Sequence, residues 1–183
     1  MLGNLYDWSP EKRVDYDNLY PLEKYILVKW NEVKRTIDEA YDNFYFYKVY
    51  HTLFNFVVVD LSAFYLDVLK DRLYTWGKDS PGRRSAQTVI YDILRELLVV
   101  LHPIIPFTTE EAWQHLPGDK EESVFLADWP RINELWNNEK IKRDFELLLS
   151  IRDKVLLLIE KARKDSKILS DRLEARVIIL DAK

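Results

Sequence analysis

The chain has 183 residues, of which 48% are hydrophobic and 14% aromatic, and its formal net charge is -4. This length and composition predict one ordinary domain with a sizeable hydrophobic core. The absence of cysteine excludes disulfides and thiolate zinc sites, and the presence of only 4 glycines argues against Gly-rich phosphate loops. The acidic net charge gives no reason by itself to expect nucleic-acid binding.

The N-terminal sequence "MLGNLYDWSPEKR" lacks the charged start, apolar centre and small-residue end of a signal peptide. No apolar run approaches the roughly 18 residues of a membrane-spanning helix. We therefore expect a soluble cytoplasmic protein with no membrane partner.

Two long helices are predicted in the first half of the chain. Residues Pro21 to Phe44 repeat apolar side chains at helical spacing, with Lys, Glu and Asp on the other face. Residues Phe46 to Trp76 are apolar almost all round, which is typical of a central helix covered by its neighbours. The β-branched run "FVVVD" favours a strand by itself, but the helical pattern continues on both sides of it.

A third helix is predicted over Arg83 to Leu101, and it ends there because Pro103 cannot continue it. The short helix "TEEAWQHL" follows. After it, Pro117 to Pro130 is expected to form an ordered loop, since Phe125 and Trp129 give it apolar anchors.

The last long helix is predicted over Ile132 to Asp165, with a break near Asn137 and Asn138, and the alternating segment "LEARVIIL" then predicts a strand. The expected fold is therefore all-α, an up-and-down helical bundle with a short strand-like C-terminal tail. We expect residues 1–165 to form this domain and residues 166–183 to begin a following region.

The segment "LHPIIPFTTEEAWQHLP" contains the pair Glu111 and His115, which share a helix face as metal ligands can. A metal would need further ligands, and no second histidine completes the zinc-protease pattern. The spacing of Thr108 and Glu111 instead predicts a capping box, with Phe107 folding back onto the helix as a hydrophobic staple.

The two remaining histidines, His51 and His102, lie in apolar helical contexts and are predicted to be hydrogen-bonded packing residues. The sequence contains no nucleophile elbow, P-loop or paired-cysteine site. We therefore predict neither a catalytic residue nor a metal site in this chain.

The segment "KDRLYTWGKDSPGRR", here called the basic corner (residues 70–84), combines cations with aromatic residues. Cations bind phosphates and aromatic rings stack on unpaired bases, so the corner is a candidate nucleic-acid surface. Composition alone favours the alternative of a solvated corner with partly buried aromatics. The candidate binding residues are Lys70, Arg72, Tyr74, Trp76, Lys78, Arg83 and Arg84.

Four segments resemble successive blocks of isoleucyl-tRNA synthetases: "FNFVVVDLSAFYLDVLKDRLYT", "RRSAQTVIYDIL", "LHPIIPFTTEEAWQHLP" and "ESVFLADWP". The third block also resembles valyl and related class I synthetases, whereas "VVVDLSAFYLDVLKDRLY" favours the isoleucyl branch. The resemblance implies an α-helical anticodon-binding domain over residues 1–165 and the start of the C-terminal junction region at 166–183. The family's HIGH- and KMSKS-type catalytic motifs and its editing domain do not occur in this sequence.

The resemblance further implies that the chain recognises the anticodon stem-loop of an isoleucine tRNA as a domain of isoleucine–tRNA ligase. ATP and Mg would act in the parent enzyme, whose catalytic, editing and C-terminal domains would be partners of this one. Any zinc site would lie at the parent's C-terminus, outside this chain, and the domain alone is expected to be inactive. The alternative is a structural or protein-interaction bundle without direct base readout.

Overall fold

The computed structural model describes residues 1–166 and 175–179, and helices make up most of the first range. No strand occurs among these residues, so the all-α prediction is confirmed. The chain divides into two units, Met1–Asn138 and Glu139–Lys183. The helices are α1 (Pro21–Asp42), α2 (Phe46–Asn55) with its π-helical continuation (Phe56–Leu66), α3 (Lys70–Tyr74), α4 (Pro81–Leu101), α5 (Pro106–Gln114) and α6 (Glu139–Ser166).

Helix α1 begins with Pro21 in its first turn, as predicted, and ends at Asp42, two residues before the predicted end. Phe44 adopts a φ of 56°, in the left-handed region that more often holds glycine. The Tyr45 N–H donates to the Ala40 carbonyl at 2.8 Å. This Schellman-type ending terminates α1 and starts the short link to α2.

The buried surface of α1 extends beyond the predicted apolar stripe. Packing against α2, the π-helical segment and α4 surrounds the helix, so the expectation that its charged residues lie on a solvent face was wrong for part of it. Three polar side chains of α1 are fully buried: Glu23, Asn31 and Lys34.

Lys34 is the best paired of these buried groups. Its Nζ donates to the Arg131 carbonyl at 2.7 Å and lies 2.9 Å from Glu96 Oε2. The Trp136 ring lies 4.7 Å from the same ammonium, and Trp30 Nε1 donates to the Glu96 carboxylate. A buried charge is tolerated only when it is paired and hydrogen-bonded in this way.

The predicted helix Phe46 to Trp76 is divided into α2, a π-helical segment and α3. A π-helix bonds to the fifth residue back and so holds more residues per turn than an α-helix. The buried positions follow this change, because Phe56 is succeeded by Leu61, five residues later, and then by Tyr65. The wider turn therefore keeps the buried side chains on one face and sets the rotation at which α3 begins.

Phe46–Leu66 is the one helix among the described residues with the length and mean hydropathy (1.3) to cross a membrane. The expectation that no apolar run approaches that length was therefore wrong. Length and composition do not separate a membrane span from a core helix, and this segment packs against α1. Its other side exposes an apolar stripe, defined as Phe46, Tyr47, Tyr50, Phe54, Val58 and Val59.

Helix α5 begins at Pro106, with Ile105 as its N-cap residue, so the predicted capping box was wrong. Thr108 lies inside the first turn and cannot cap it. Phe107 is 89% exposed, which also contradicts the predicted staple. Trp113 is fully buried, and its Nε1 donates to the Glu121 carbonyl at 2.9 Å, which ties α5 to the loop that follows.

The structure confirms only one of the two histidines predicted to be packing residues. His102 Nδ1 lies 2.9 Å from the Thr109 hydroxyl and its ring packs edge-on against Phe125, as predicted for a packing residue. His51 is exposed beside Tyr50, so that prediction was wrong.

The predicted break near Asn137 and Asn138 is confirmed, because a 3-10 turn, Glu134–Trp136, precedes α6. Residues 175–179 form no strand, so the strand predicted over Leu173 to Leu180 is not formed in its described part. Leu173, Glu174 and Leu180 lie outside the described residues. The predicted domain boundary at 165 stays a prediction.

Candidate nucleic-acid interface

The basic corner lies between α3 and α4, and local signals fix its backbone. Ser80 is the N-cap of α4, and its hydroxyl accepts from the Arg83 N–H at 3.4 Å. Pro81 occupies the first turn, where its missing N–H costs nothing. The Ser80 N–H donates to the Gly77 carbonyl at 3.0 Å, which closes the turn between the helices.

Arg83 points into the protein and is only 5% exposed. Its Nη2 lies 3.1 and 3.2 Å from the two Asp7 carboxylate oxygens and 3.0 Å from the Tyr6 hydroxyl. Its Nη1 donates to the Trp76 carbonyl at 3.4 Å. The guanidinium therefore ties the corner to the N-terminal segment.

Arg84 is similarly enclosed and is 6% exposed. Its Nη1 donates to Gln87 Oε1 at 2.7 Å and to the Asp7 carbonyl at 3.0 Å. Its Nη2 lies 3.1 Å from Asp79 Oδ1. Internal carboxylates thus neutralise both arginines, and their burial favours a structural role. Their assignment to tRNA contact stays a prediction.

Asp7 is the common partner of these two arginines. Burial acts to raise the pKa of Asp7, but the Gln87 hydrogen bond and the charges of Arg83 and Arg84 outweigh it, so this pKa lies below its usual value. Asp7 is therefore ionised at neutral pH and forms buried ion pairs rather than surface pairs.

Arg72 is partly exposed and is held from three directions. Its Nη1 donates to Glu23 Oε1 at 2.8 Å. The guanidinium carbon lies 5.0 Å from the Tyr20 ring centroid and 5.8 Å from that of Trp76. A delocalised guanidinium stacks on aromatic faces and pairs with carboxylates at the same time, which suits this position.

The Glu23 carboxylate beneath Arg72 is fully buried. Burial raises the pKa of Glu23 to about 6, against the opposing effect of Arg72. Tyr65 is also fully buried nearby, and burial together with the charge of Glu23 raises its pKa well above the usual value. Neither Glu23 Oε2 nor the Tyr65 hydroxyl has a hydrogen-bond partner among the described residues.

The remaining four residues of the predicted set face solvent. Tyr74 is 72% exposed and Trp76 is 42% exposed. Lys70 pairs with Asp67 at 2.5 Å, and the hydrogen bond and charge of Asp67 raise the pKa of Lys70. Lys78 is exposed and makes no ion pair within the described residues. The surface of the corner therefore combines two lysines and two aromatic rings with the exposed carboxylates of Asp71 and Asp79, and Arg72 lies at its edge.

Four residues that organise the corner were missed by the sequence reasoning: Asp7, Tyr20, Glu23 and Gly82. Asp7 and Tyr20 precede the corner by at least fifty residues, so no local pattern links them to it. No role was assigned to Gly82 from its sequence context. Its role is steric, because a Cβ at this position would lie 2.5 Å from Trp76 Cζ3.

Metal binding has no support in the geometry. Across residues 1–166 and 175–179, no three His, Cys, Asp or Glu side chains are grouped so as to hold a metal ion. His115 ends α5 as an exposed residue, and Glu111 is exposed one turn earlier.

Comparison with known proteins places these features in a family. The family described as "Anticodon-binding domain of tRNA ligase" matches residues 23–179, which include the basic corner from α3 to α4. The chain is 46% identical over 180 residues to the isoleucine–tRNA ligase of Natranaerobius thermophilus, covering 98% of the chain and 19% of the relative. It is 43% identical to those of Halalkalibacterium halodurans and a Sulfurihydrogenibium species, covering 98% and 97% of the chain and 19% of each relative.

The chain therefore spans about a fifth of the length of these curated relatives, at 19%. The family match extends over 157 of the 183 residues, counted from 23 to 179. On this match, the protein belongs to the family of anticodon-binding domains of tRNA ligases.

Proposed function

We propose that this chain acts as a domain of an isoleucine–tRNA ligase and binds the anticodon stem-loop of an isoleucine tRNA. The observation that carries the proposal is the family match over residues 23–179, combined with 46% identity to an isoleucine–tRNA ligase along nearly the whole chain. In the intact enzyme this contact orients the acceptor end of the tRNA toward a distant active site, where isoleucine is activated with ATP and Mg. The reaction takes place in the cytoplasm.

The binding surface is the exposed part of the basic corner. Lys70 and Lys78 attract phosphates, and the rings of Tyr74 and Trp76 offer faces on which unpaired loop bases stack. Arg72 adds a partly exposed cation at the edge. Arg83 and Arg84 contribute indirectly, because their ion pairs with Asp7 hold the corner against the N-terminal segment.

This surface carries few unpaired cations, which limits its affinity for RNA. Lys70 is already paired with Asp67, and the acidic net charge of -4 opposes phosphate binding at long range. Binding by the isolated chain is therefore weak and sensitive to salt. In the full enzyme, other domains supply the remaining contacts.

The apolar stripe on α2 and the π-helical segment supports a place within a larger protein. Contiguous exposed apolar side chains mark protein–protein contact surfaces more often than free surface. The relatives are about five times longer than this chain, since the aligned part is 19% of their length. Catalytic, editing and C-terminal domains of the same parent are the proposed partners.

The test is filter binding of the 183-residue chain to an isoleucine tRNA and to the same tRNA with a swapped anticodon. We expect tighter binding to the first. Lys78→Glu should weaken binding, and it should reduce the slope of log binding constant against log salt concentration by about one. Arg131→Glu, the same charge change at an exposed residue away from the corner, is the matched control.

Equal binding to both tRNAs, or equal loss in the two variants, would favour the alternative of a structural or protein-interaction bundle. The double change Arg83→Glu and Arg84→Glu is unsuitable here. It would place carboxylates beside Asp7 inside the protein, so lost folding and lost binding would be indistinguishable.

A further inference from the structure

The ion pair between Glu23 and Arg72 lies beneath the basic corner, and burying its carboxylate costs free energy. Glu23 is fully buried in the first turn of α1, and one of its two carboxylate oxygens has no hydrogen-bond partner among the described residues. A well-packed apolar pair at such a position is often as stable as an ion pair, or more so. The value of the pair therefore lies in the geometry that it imposes on Arg72.

That geometry reaches the protein surface through aromatic rings. The Arg72 guanidinium is fixed by Glu23 at 2.8 Å and lies against the rings of Tyr20 and Trp76. A planar guanidinium that is held at one edge by a carboxylate has a defined plane for its neighbours to pack on. Arg72 thus supports one side of the Trp76 ring.

The Trp76 ring also lies close to the backbone of α4. A Cβ built on Gly82 would lie 2.5 Å from Trp76 Cζ3 and 3.2 Å from Tyr20 Cε2. Real Cβ contacts are essentially never this short, so only glycine lets the ring approach α4 so closely. Trp76 therefore lies against both Arg72 and Gly82, while 42% of its surface stays open to solvent.

Tyr74 gives the contrast. Its ring is 72% exposed and makes no aromatic or cation contact with another described residue. A ring that is already immobilised loses less conformational entropy on binding than a free one. Of the two aromatic residues of the corner, Trp76 is the preorganised one.

We propose that Glu23 and Gly82 are positioning residues that orient the exposed Trp76 ring as the stacking platform for an unpaired base of the RNA. This inference rests on the proposed RNA binding and adds to it which ring stacks and what holds that ring in place. Glu23 acts through Arg72, and Gly82 acts by leaving space for the ring.

The test uses the 183-residue chain labelled with 5-fluorotryptophan, and an RNA hairpin with the sequence of the isoleucine anticodon stem-loop as the probe. The chain contains 6 Trp, and the fluorine resonance of Trp76 is assigned as the one lost in Trp76→Leu. Gly82→Ala and Glu23→Leu should each move this resonance. Each should also weaken hairpin binding, by roughly tenfold if stacking of one base is lost.

Tyr74→Leu should weaken hairpin binding less than Trp76→Leu does, because an unsupported ring contributes less. The matched control is Phe107→Leu, which changes an exposed aromatic ring of α5 outside the basic corner and should leave hairpin binding within about twofold. In the Trp76→Leu background, Gly82→Ala and Glu23→Leu should have no further effect on binding, because both act through the absent ring. Gly82→Ala adds a helix-favouring residue to the first turn of α4, so it keeps the test valid if Glu23→Leu fails to fold.

The outcomes separate the two proposals. If the unaltered chain does not bind the hairpin, the proposed function is wrong, whatever the fluorine spectra show. If it binds and Trp76→Leu binds equally well, or if Gly82→Ala weakens binding in the Trp76→Leu background as much as in the unaltered chain, the positioning inference is wrong.

Discussion

Replacing Asp7 by alanine removes the carboxylate that pairs with both buried arginines of the basic corner. The Asp7 and Arg83 side chains are almost completely buried, with Nη2 3.1 and 3.2 Å from the two carboxylate oxygens, and Arg84 Nη2 lies 3.6 Å from the same group. The Gln87 amide, which donates to the same carboxylate at 2.7 Å, also loses its acceptor. The change therefore leaves two cations without their shared buried partner.

Breaking a buried pair from one side costs about 3–5 kcal/mol, because the remaining charge is uncompensated. We expect Asp7→Ala to lower the free energy of unfolding by that amount at pH 7. With a urea slope of about 2 kcal/mol per molar, the midpoint falls by about 2 M. Asp7→Asn keeps an acceptor oxygen and should lose less, about 1–3 kcal/mol. Asp119→Ala, at an exposed site, should change stability by under about 0.5 kcal/mol.

The dependence on pH gives a second measurement of the same contact. The pKa of Asp7 is lower in the folded protein than in the unfolded chain, so its stabilising contribution is present above the unfolded pKa of 3.8. It disappears as pH falls through the folded pKa, and the unaltered protein and Asp7→Ala should then converge. A urea midpoint for Asp7→Ala that stays near the unaltered value at pH 7 would refute the reasoning.

Three further changes test other contacts of the structure. Lys34→Met should lower the free energy of unfolding by about 3–5 kcal/mol in urea titrations, because it leaves the Glu96 carboxylate without its buried cation. Thr109→Val should lower the free energy of unfolding by about 1–3 kcal/mol, because the His102 ring loses its hydrogen-bond partner. Thr108→Ala should lower it by under about 0.5 kcal/mol, because Thr108 does not cap α5. Equal losses in the two variants would support the capping box instead. The pKa of Glu23, raised to about 6, implies stability that is present below pH 4.5 and lost as pH rises through 6. Between these pH values the unaltered protein should therefore lose about 2 kcal/mol more than Glu23→Gln, and parallel stability curves would contradict the raised pKa.

The helices could be predicted from sequence because their signals are local. Pro21 predicts the start of α1 and Pro103 predicts the end of α4, and the structure confirms both within a residue or two. The capping box failed because another local signal, Pro106 in the first turn, starts α5 earlier than Thr108. Both signals were visible in the sequence, and the proline determined the start.

The candidate site was less predictable because its chemistry depends on distant partners. Arg83 and Arg84 look like surface cations in a local window, but Asp7 lies 76 and 77 positions before them. Lys34 reads as a solvent-facing lysine of an amphipathic helix, yet its partner carbonyl lies 97 positions later, at Arg131. Charge patterns along a chain do not contain such pairings, so composition overstated the free positive charge of the basic corner.

The direction in which the basic corner faces depends on the number of residues in the π-helical segment Phe56–Leu66. Each residue of an α-helix advances the chain by about 100° around its axis, so removing one residue here would turn α3 by a comparable angle. Arg72 would then leave Glu23, and Trp76 would leave the backbone of α4. Conservative substitutions within this segment can preserve the corner, whereas an insertion or deletion cannot. Relatives that keep the corner should therefore tolerate substitutions in this segment but conserve its length.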